Sequence, residues 1–198
     1  NTYQTASSHR LTTCTEQTTC DPGSFISADD TKTAARTCST CGDNTYQTAS
    51  SHRLTTCTEQ TQCGEGQKIS DDTTTAARTC SACGENKFQT ATSHRETTCD
   101  SQPECNAGEK ISADSKTAAR TCTTCGDNTY QTATSHRETA CTAQTQCKEG
   151  EKISDDTTTA ARTCEACGDN TYQTASSHRL TTCTEQTTCD PGSFISAD

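Results

Sequence analysis

Cysteines are the residues whose spacing points most clearly to chemistry in this sequence. The chain has 18 cysteines. They recur as Cys-x2-Cys pairs, such as Cys38 and Cys41, that alternate with Cys-x5-Cys pairs, such as Cys57 and Cys63. A Cys-x2-Cys pair can hold zinc or form a redox couple, but zinc sites join two such pairs about 12 to 20 residues apart. Because these pairs recur about 42 residues apart, a period within the range of repeat arrays, we interpret the cysteines as disulfide partners and expect neither metal nor cofactor.

A recurring His-Arg pair is the second feature that could carry chemistry. Catalysis would need a nucleophile or an acid as partner, and five identical enzyme sites in one chain are unexpected. The alternative is structural: the pair faces solvent, or one member packs over a recurring aromatic residue such as Tyr46 as a cation–π contact. We favour the structural role and expect no catalytic residue and no enzyme activity. The five pairs are His9-Arg10, His52-Arg53, His94-Arg95, His136-Arg137 and His178-Arg179.

The aspartates near the end of each copy could either bind calcium or form turns. Their spacing does not match an EF-hand loop, and one copy replaces the acidic pair with Ala113-Asp114-Ser115. We therefore predict that these aspartates form turns. An arginine two residues before a cysteine is predicted to pair with a nearby acidic residue or to cap a strand edge. The aspartate pairs are Asp29-Asp30, Asp71-Asp72 and Asp155-Asp156, and the arginines are Arg36, Arg78, Arg120 and Arg162.

An internal repeat organises all of these positions. Its fixed period of about 42 residues is the signature of a repeat array. We divide the chain into five cysteine-rich copies, the first and last truncated: residues 1–40, 41–82, 83–124, 125–166 and 167–198. Residues 170–198 repeat residues 1–29 letter for letter, which indicates a super-repeat of four modules. Only two residues separate one copy from the next, so we expect a semi-rigid array in which each module contacts its neighbours.

Composition excludes a conventional apolar core. Apart from Ala and Cys, the apolar residues are three Leu, five Ile, three Phe and four Tyr. Modules with so little apolar surface depend on cross-links. The net charge of −10, without a basic stripe, argues against nucleic acid and anionic membranes as partners. No apolar run reaches the roughly 20 residues that a membrane helix needs, so we expect no membrane span in this segment.

Local patterns predict short strands rather than helices. In the second copy we predict strands over residues 45–48 and 53–56 joined by a turn at residues 49–51. A turn at residues 64–66, a strand around residues 68–70 and a returning strand over residues 77–80 are predicted to follow. The fold class that we predict is small, disulfide-rich, mostly β and irregular, in an elongated tandem array of modules of about 42 residues.

The second copy resembles a tumour necrosis factor receptor-type cysteine-rich repeat. The resemblance rests on Cys41-Gly42, Tyr46, Cys57-x5-Cys63, Gly66 and Cys80. The family has Cys-x2-Cys-x2-Cys where this chain has Gln60 at the middle position, and one later cysteine is absent too. The paired loss matches the loss of one whole bridge, and the Gly-to-Tyr spacing also departs from the family form. Four cysteines allow three pairings, and spacing alone does not choose among them.

The resemblance implies two bridges in series within each module. The implied pairs are Cys41–Cys57, Cys63–Cys80, Cys20–Cys38, Cys83–Cys99, Cys105–Cys122, Cys125–Cys141, Cys147–Cys164 and Cys167–Cys183. Cys14 and Cys189 are left over, and we expect their partners just beyond the two ends of this segment.

The near-identity of the copies favours an extracellular structural protein. We expect a stiff fibre, stalk or surface filament that self-associates, in an oxidising extracellular or cell-surface location. Thr/Ser-rich composition also predicts O-glycosylation, with Thr73, Thr74, Thr75, Thr157, Thr158 and Thr159 as candidate sites. The alternative, which the family resemblance implies, is a receptor-like ectodomain that binds a protein ligand. Divergent surface loops in one module would favour that alternative.

Overall fold

The structure is a computed structural model that describes residues 1–8, 10–27 and 31–193. These described residues form nine two-stranded antiparallel sheets and contain no helix. The described part of the chain accordingly has no helix with the length and hydropathy that a membrane crossing requires. A mostly β and irregular, disulfide-rich tandem fold, as the composition predicts, is confirmed.

Each complete module contains one hairpin of two-residue strands and one of three-residue strands. The shorter strands are β1 (Thr2–Tyr3) with β2 (Thr15–Glu16), β5 (Thr45–Tyr46) with β6 (Thr58–Glu59), β9 (Lys87–Phe88) with β10 (Asp100–Ser101), β13 (Thr129–Tyr130) with β14 (Thr142–Ala143), and β17 (Thr171–Tyr172) with β18 (Thr184–Glu185). The longer strands are β3 (Ser24–Ile26) with β4 (Cys38–Thr40), β7 (Gln67–Ile69) with β8 (Cys80–Ala82), β11 (Glu109–Ile111) with β12 (Cys122–Thr124), and β15 (Glu151–Ile153) with β16 (Cys164–Ala166).

A single isoleucine and the bridged cysteines form the small core of each longer hairpin. Ile69 ends β7, lies opposite Cys80 in the strand register and is 1% exposed. Isoleucines at the same position in the other described copies are 1–2% exposed: Ile26, Ile111 and Ile153. One such side chain cannot hold a module together, so the cross-links and buried polar contacts must contribute most of the remaining stability.

A glycine turn precedes each longer hairpin, and at Gly23, Gly66 and Gly108 the turn packs against the next module. Gly66 has a φ of +68°, a left-handed conformation that favours glycine. A Cβ at Gly66 would lie 3.2 Å from the backbone oxygen of Lys116 and 3.2 Å from a methyl carbon of Thr117. The position therefore needs glycine for both its backbone conformation and its packing.

The strand partners differ from those that the sequence predicts. Tyr46 pairs with Thr58 rather than with the predicted strand at residues 53–56. The reason is that residues 52–54 make their backbone hydrogen bonds to the preceding module instead. The predicted strand at residues 68–70 corresponds to β7, whereas the returning strand begins at Cys80, the last residue of the predicted segment.

The chain divides into two compact units. One consists of Asn1–Gln102 and Ser115–Ala119, and the other of Pro103–Asp114 and Arg120–Asp198. Each unit contains junctions of the same kind between successive copies, so either unit by itself illustrates how the modules are joined.

Candidate functional site

Eight disulfides cross-link the modules internally. They join the pairs that the family resemblance implies: Cys20–Cys38, Cys41–Cys57, Cys63–Cys80, Cys83–Cys99, Cys105–Cys122, Cys125–Cys141, Cys147–Cys164 and Cys167–Cys183. Cys14 and Cys189 are exposed and unbridged within the described residues. Each bridge closes a short loop, which stabilises the folded chain by about 3 kcal/mol in the chain-entropy model.

Two clusters bring sulfur and carboxylate atoms close enough together for a metal ion. They consist of Cys105, Glu109 and Cys122, and of Cys147, Glu151 and Cys164. In both clusters the two sulfurs are bonded to each other. Because a thiolate, not a disulfide, is the metal ligand, neither cluster offers a metal site while the bridges are intact.

Histidine forms the backbone connection between successive modules. Cys63 N donates to His94 O at 2.8 Å, and His94 N donates to Cys63 O at 3.0 Å, which makes a short antiparallel bridge. The same bridge recurs at three other junctions: Cys20 with His52, Cys105 with His136, and Cys147 with His178. The junctions are therefore ordered by paired hydrogen bonds rather than by flexible linkers.

The imidazole of His94 is buried and fully hydrogen-bonded. It is 8% exposed. Glu96 N donates to its Nδ1 at 3.1 Å, and its Nε2 lies 3.1 Å from Gly64 O. Since Nδ1 accepts a hydrogen bond, the proton sits on Nε2 and is donated to the carbonyl. At the first junction His52 Nε2 has no hydrogen-bond partner among the described residues.

Three arginines of the His-Arg pairs, Arg53, Arg95 and Arg179, bind a backbone carbonyl of the preceding module, and Arg137 lies 2.9 Å from Glu104. Arg95 donates to Gln60 O from Nε at 3.0 Å and from Nη2 at 2.6 Å, and Arg179 makes the same contacts with Gln144 O. The expectation of a solvent-facing pair was wrong for His52, His94, His136 and His178, which are 8–9% exposed, and the alternative cation–π contact stays a prediction. His9 lies outside the described residues.

A buried glutamine occupies the position of the absent family cysteine. Gln60 is 2% exposed. Its Nε2 donates to Thr73 O at 2.8 Å and to Ala76 O at 3.0 Å, and its Oε1 accepts from Arg78 N at 2.8 Å. We call this arrangement the glutamine clamp. The glutamines of the clamp are Gln17, Gln60, Gln102 and Gln144, and all are 1–2% exposed.

The clamp replaces a covalent link by hydrogen bonds to the segment that precedes the last cysteine of the module. The recurrence of Gln at the middle of Cys-x2-Gln-x2-Cys was the available sequence signal. Sequence reasoning recognised only that a cysteine was absent there. It missed the clamp because hydrogen bonds to backbone atoms leave no complementary side chain in the sequence.

The buried arginines make the predicted contacts with acidic residues. Arg78, with a side chain 3% exposed, lies 3.3 Å from Asp72 and donates to Ser70 O at 2.7 Å. Arg162 has the equivalent contact with Asp156 at 3.4 Å, and Arg120 lies 3.8 Å from Asp114. The prediction for these arginines is confirmed. Asp29-Asp30, the acidic pair of the first copy, lies outside the described residues.

The candidate glycosylation sites lie in bends that also make internal contacts. Thr73 and Thr74 are half-buried, while Thr75 is exposed. The hydroxyls of Thr73 and Thr75 lie 3.1 Å apart, and a Cβ at Gly23 would come within 2.9 Å of Thr74 Oγ1. Thr157, Thr158 and Thr159 have the same burial pattern. Glycosylation at these positions remains a prediction, with Thr75 and Thr159 the more accessible positions.

An open groove lies at equivalent positions in each of the two compact units. The first has a volume of about 340 Å³ and is lined by Lys68, Gly84, Lys87, Thr98 and Cys99. The second has a volume of about 300 Å³, and its lining residues are Lys152, Gly168, Thr171, Thr181, Thr182 and Cys183. Every lining position of the first groove recurs in the second, two repeat periods later, and only Lys87 is replaced there, by Thr171.

The third copy is the most distinctive at its surface. It has Lys87, Asp100 and Pro103 where the second and fourth copies have threonine, and all three side chains are exposed. It keeps the buried His94 and Gln102. Substitution has therefore changed the surface of this module without changing its junction or its clamp.

Comparisons with known proteins give only distant likenesses. No family model and no curated protein matches the chain. One similar solved structure is the crystal structure of the mouse RANKL-OPG complex, with 19% identity and a TM-score of 0.30 over 67% of this chain and 95% of the matched chain. Another is the human RANKL/OPG complex, with 21% identity and a TM-score of 0.36 over 84% of this chain and 97% of the matched chain. The serial bridges make the modules similar to the tumour necrosis factor receptor-type repeat, in a form with two disulfides per module.

Proposed function

We propose that this chain belongs to an extracellular, receptor-like ectodomain that binds a protein ligand and has no enzymatic role. The supporting observation is the distribution of substitutions in the third copy. Lys87 and Asp100 change the exposed surface, whereas His94 and Gln102 keep the buried contacts. An array that served only as a spacer would gain nothing from one differentiated surface. A binding protein needs such a surface, because specificity depends on particular side chains.

The extracellular location follows from the dependence of the modules on disulfides. With a core of one isoleucine and two bridges per module, the modules need an oxidising compartment to stay folded. The proposal assigns binding rather than catalysis because the two grooves are lined by Lys, Thr, Gly and bridged Cys. These lining residues include no nucleophile paired with a base.

A binding screen with a matched surface variant tests this function. The labelled 198-residue chain would be applied to an array of extracellular proteins from the same organism. A double variant would carry Lys87→Thr and Asp100→Thr, the residues of the second copy. We expect saturable binding to at least one protein, competition by unlabelled chain and at least tenfold weaker binding by the variant. Equal binding by both proteins, or no saturable binding, would contradict the proposal.

A structural filament is the second candidate function. It is favoured by the recurrence of the Cys–His backbone bridge at four junctions, which would suit a load-bearing array with O-glycans on its exposed threonines. Sedimentation and electron microscopy of the chain alone distinguish the candidates. Concentration-dependent assembly into uniform filaments favours this function, and a monomer at all concentrations favours the receptor-like one.

A further inference from the structure

Four glycines that follow a cysteine have no structural reason to be glycine. They are Gly42, Gly84, Gly126 and Gly168, none of them has a positive φ, and a Cβ at any of them would meet no atom within 4 Å. Copies of this chain do lose a dispensable glycine elsewhere: Gly64 follows Cys63, but Asn106 and Lys148 stand at the same position in later copies. Retention of the four glycines therefore indicates a requirement from outside the fold, such as close approach of a partner backbone.

Gly84 and Gly168 line the two grooves, beside hydrogen-bond donors that the described chain leaves unused. The side chains of Lys68 and Lys152 make no hydrogen bond or ion pair with any described residue, and neither Gly84 N nor Gly168 N donates to a described acceptor. The Thr98 hydroxyl in the first groove is likewise unpaired within the described residues. In each groove a lysine and a glycine whose Nζ and N–H have no described partner thus line one open volume.

The residues that line the grooves are basic or uncharged, whereas the chain as a whole is acidic. The chain has 26 acidic and 16 basic residues, yet none of the residues that line either groove carries a carboxylate. The first groove has a second ammonium group from Lys87, whose Nζ donates to Ser101 Oγ at 2.9 Å. An anion at the first groove would therefore meet local positive charge, whereas Lys152 of the second groove lies opposite Glu165 in the strand register.

We propose that the two grooves bind carboxylate side chains of an acidic peptide segment in the protein ligand. A carboxylate would accept hydrogen bonds from the lysine Nζ and from the glycine N–H, and the peptide backbone would pass over the glycine where a Cβ would obstruct it. A peptide fits better than an acidic sugar, because no aromatic side chain for stacking lines either groove. This inference rests on the proposed receptor-like function.

Fluorescence anisotropy with labelled hexaglutamate as the probe tests the proposal, with hexaglutamine and glucuronate for comparison. One variant carries Lys68→Gln and Lys152→Gln, and another carries Gly84→Ala and Gly168→Ala. Each should bind hexaglutamate about fivefold more weakly, the upper end of what an exposed ion pair contributes. Thermal unfolding should be unchanged, because the lysine side chains have no internal partner and the new methyl groups meet no neighbour.

Matched controls use positions outside the grooves. Lys148→Gln removes a lysine that lies 3.7 Å from Glu151, and Gly64→Ala adds a methyl group whose nearest neighbours are 4.0 Å away. Both should bind hexaglutamate within about twofold of the parent. Binding by the parent should weaken as sodium chloride rises from about 50 to about 500 mM, because salt screens exposed charges.

Three results would overturn the proposal: no binding of hexaglutamate, equal weakening by the controls, or saturable binding of glucuronate without binding of the peptide. The last result would assign the grooves to a sugar acid. If the protein ligand found in the screen still binds the lysine and glycine variants with parental affinity, the groove assignment fails while the receptor-like function stands. If no protein ligand is found either, both proposals fail.

Discussion

Removal of one glutamine clamp should open the end of its module locally. Gln144 Nε2 donates to Thr157 O at 2.8 Å and to Ala160 O at 3.0 Å, and Oε1 accepts from Arg162 N at 2.8 Å. The substitution Gln144→Ala removes all three hydrogen bonds. The backbone N–H of the buried residue Arg162 then loses its side-chain acceptor. The carbonyl of Ala160 belongs to an exposed residue and can be hydrated instead.

The expected loss follows from the number of bonds. Three hydrogen bonds with a net contribution of about 0.5–1.5 kcal/mol each bound the destabilisation at about 1.5–4.5 kcal/mol, and the usual value near 1 kcal/mol per bond, with hydration of the Ala160 carbonyl, places it at about 2–3 kcal/mol. If the segment opens locally, the amide of Arg162 should exchange with solvent roughly 30- to 150-fold faster, since each 1.4 kcal/mol is a factor of ten. Amide hydrogen exchange by NMR, with the disulfides intact, measures this change at the residue itself.

Gln146→Ala is the matched control. Gln146 lies two residues further along the same segment and is exposed, so its replacement should change the exchange rate of Arg162 by less than about twofold. Gln144→Glu keeps the shape of the side chain but cannot donate to two carbonyls, and it should destabilise at least as much as alanine. Equal exchange in Gln144→Ala and Gln146→Ala would refute the structural role of the clamp.

Three further predictions concern the turn, the junction and the bridges. Gly66→Ala should lower the free energy of unfolding by about 1–3 kcal/mol, because it places a Cβ at positive φ against Lys116. Gly84→Ala should leave the free energy of unfolding unchanged. Thermal unfolding of the two variants checks this prediction, and equal melting temperatures would contradict it. Arg95→Met removes two charged hydrogen bonds to Gln60 O and should raise amide exchange at His94, which NMR measures; an unchanged rate would show that the junction does not depend on the arginine. Reduction of all bridges should unfold the modules, because about 3 kcal/mol is lost for each; retained tyrosine near-ultraviolet circular dichroism after reduction would contradict this.

Sequence reasoning predicted those parts of the fold that depend on local geometry. The turn at Gly66 was predictable because glycine recurs there beside an isoleucine strand, and β7 follows it. The ion pair of Arg78 with Asp72 was predictable because the two residues are close in sequence and opposite in charge. The bridge pairs came from the family resemblance rather than from the spacing.

Contacts between modules could not be predicted from a single copy. His94 was expected to face solvent or to pack beside an aromatic residue, because the Cys63 backbone with which it pairs belongs to the preceding copy. Tyr46 was assigned the wrong strand partner for the same reason: residues 52–54 are taken up by the neighbouring module. The candidate grooves were missed as well, since their Lys, Gly and Thr residues come together only when two copies are adjacent.

Non-reducing peptide mapping tests the serial disulfide pattern most directly, and the fourth junction makes it unambiguous. Cleavage after Glu165 separates Cys164 from Cys167, and cleavage after Arg179 and Glu185 releases the peptide that contains Cys183. Digestion with trypsin and a glutamate-specific protease should therefore link residues 166–179 to residues 180–185, through Cys167–Cys183. A link between residues 163–165 and residues 180–185 would instead join Cys164 to Cys183. That result would contradict two bridges in series within each module and, with them, the junctions and grooves that depend on this pairing.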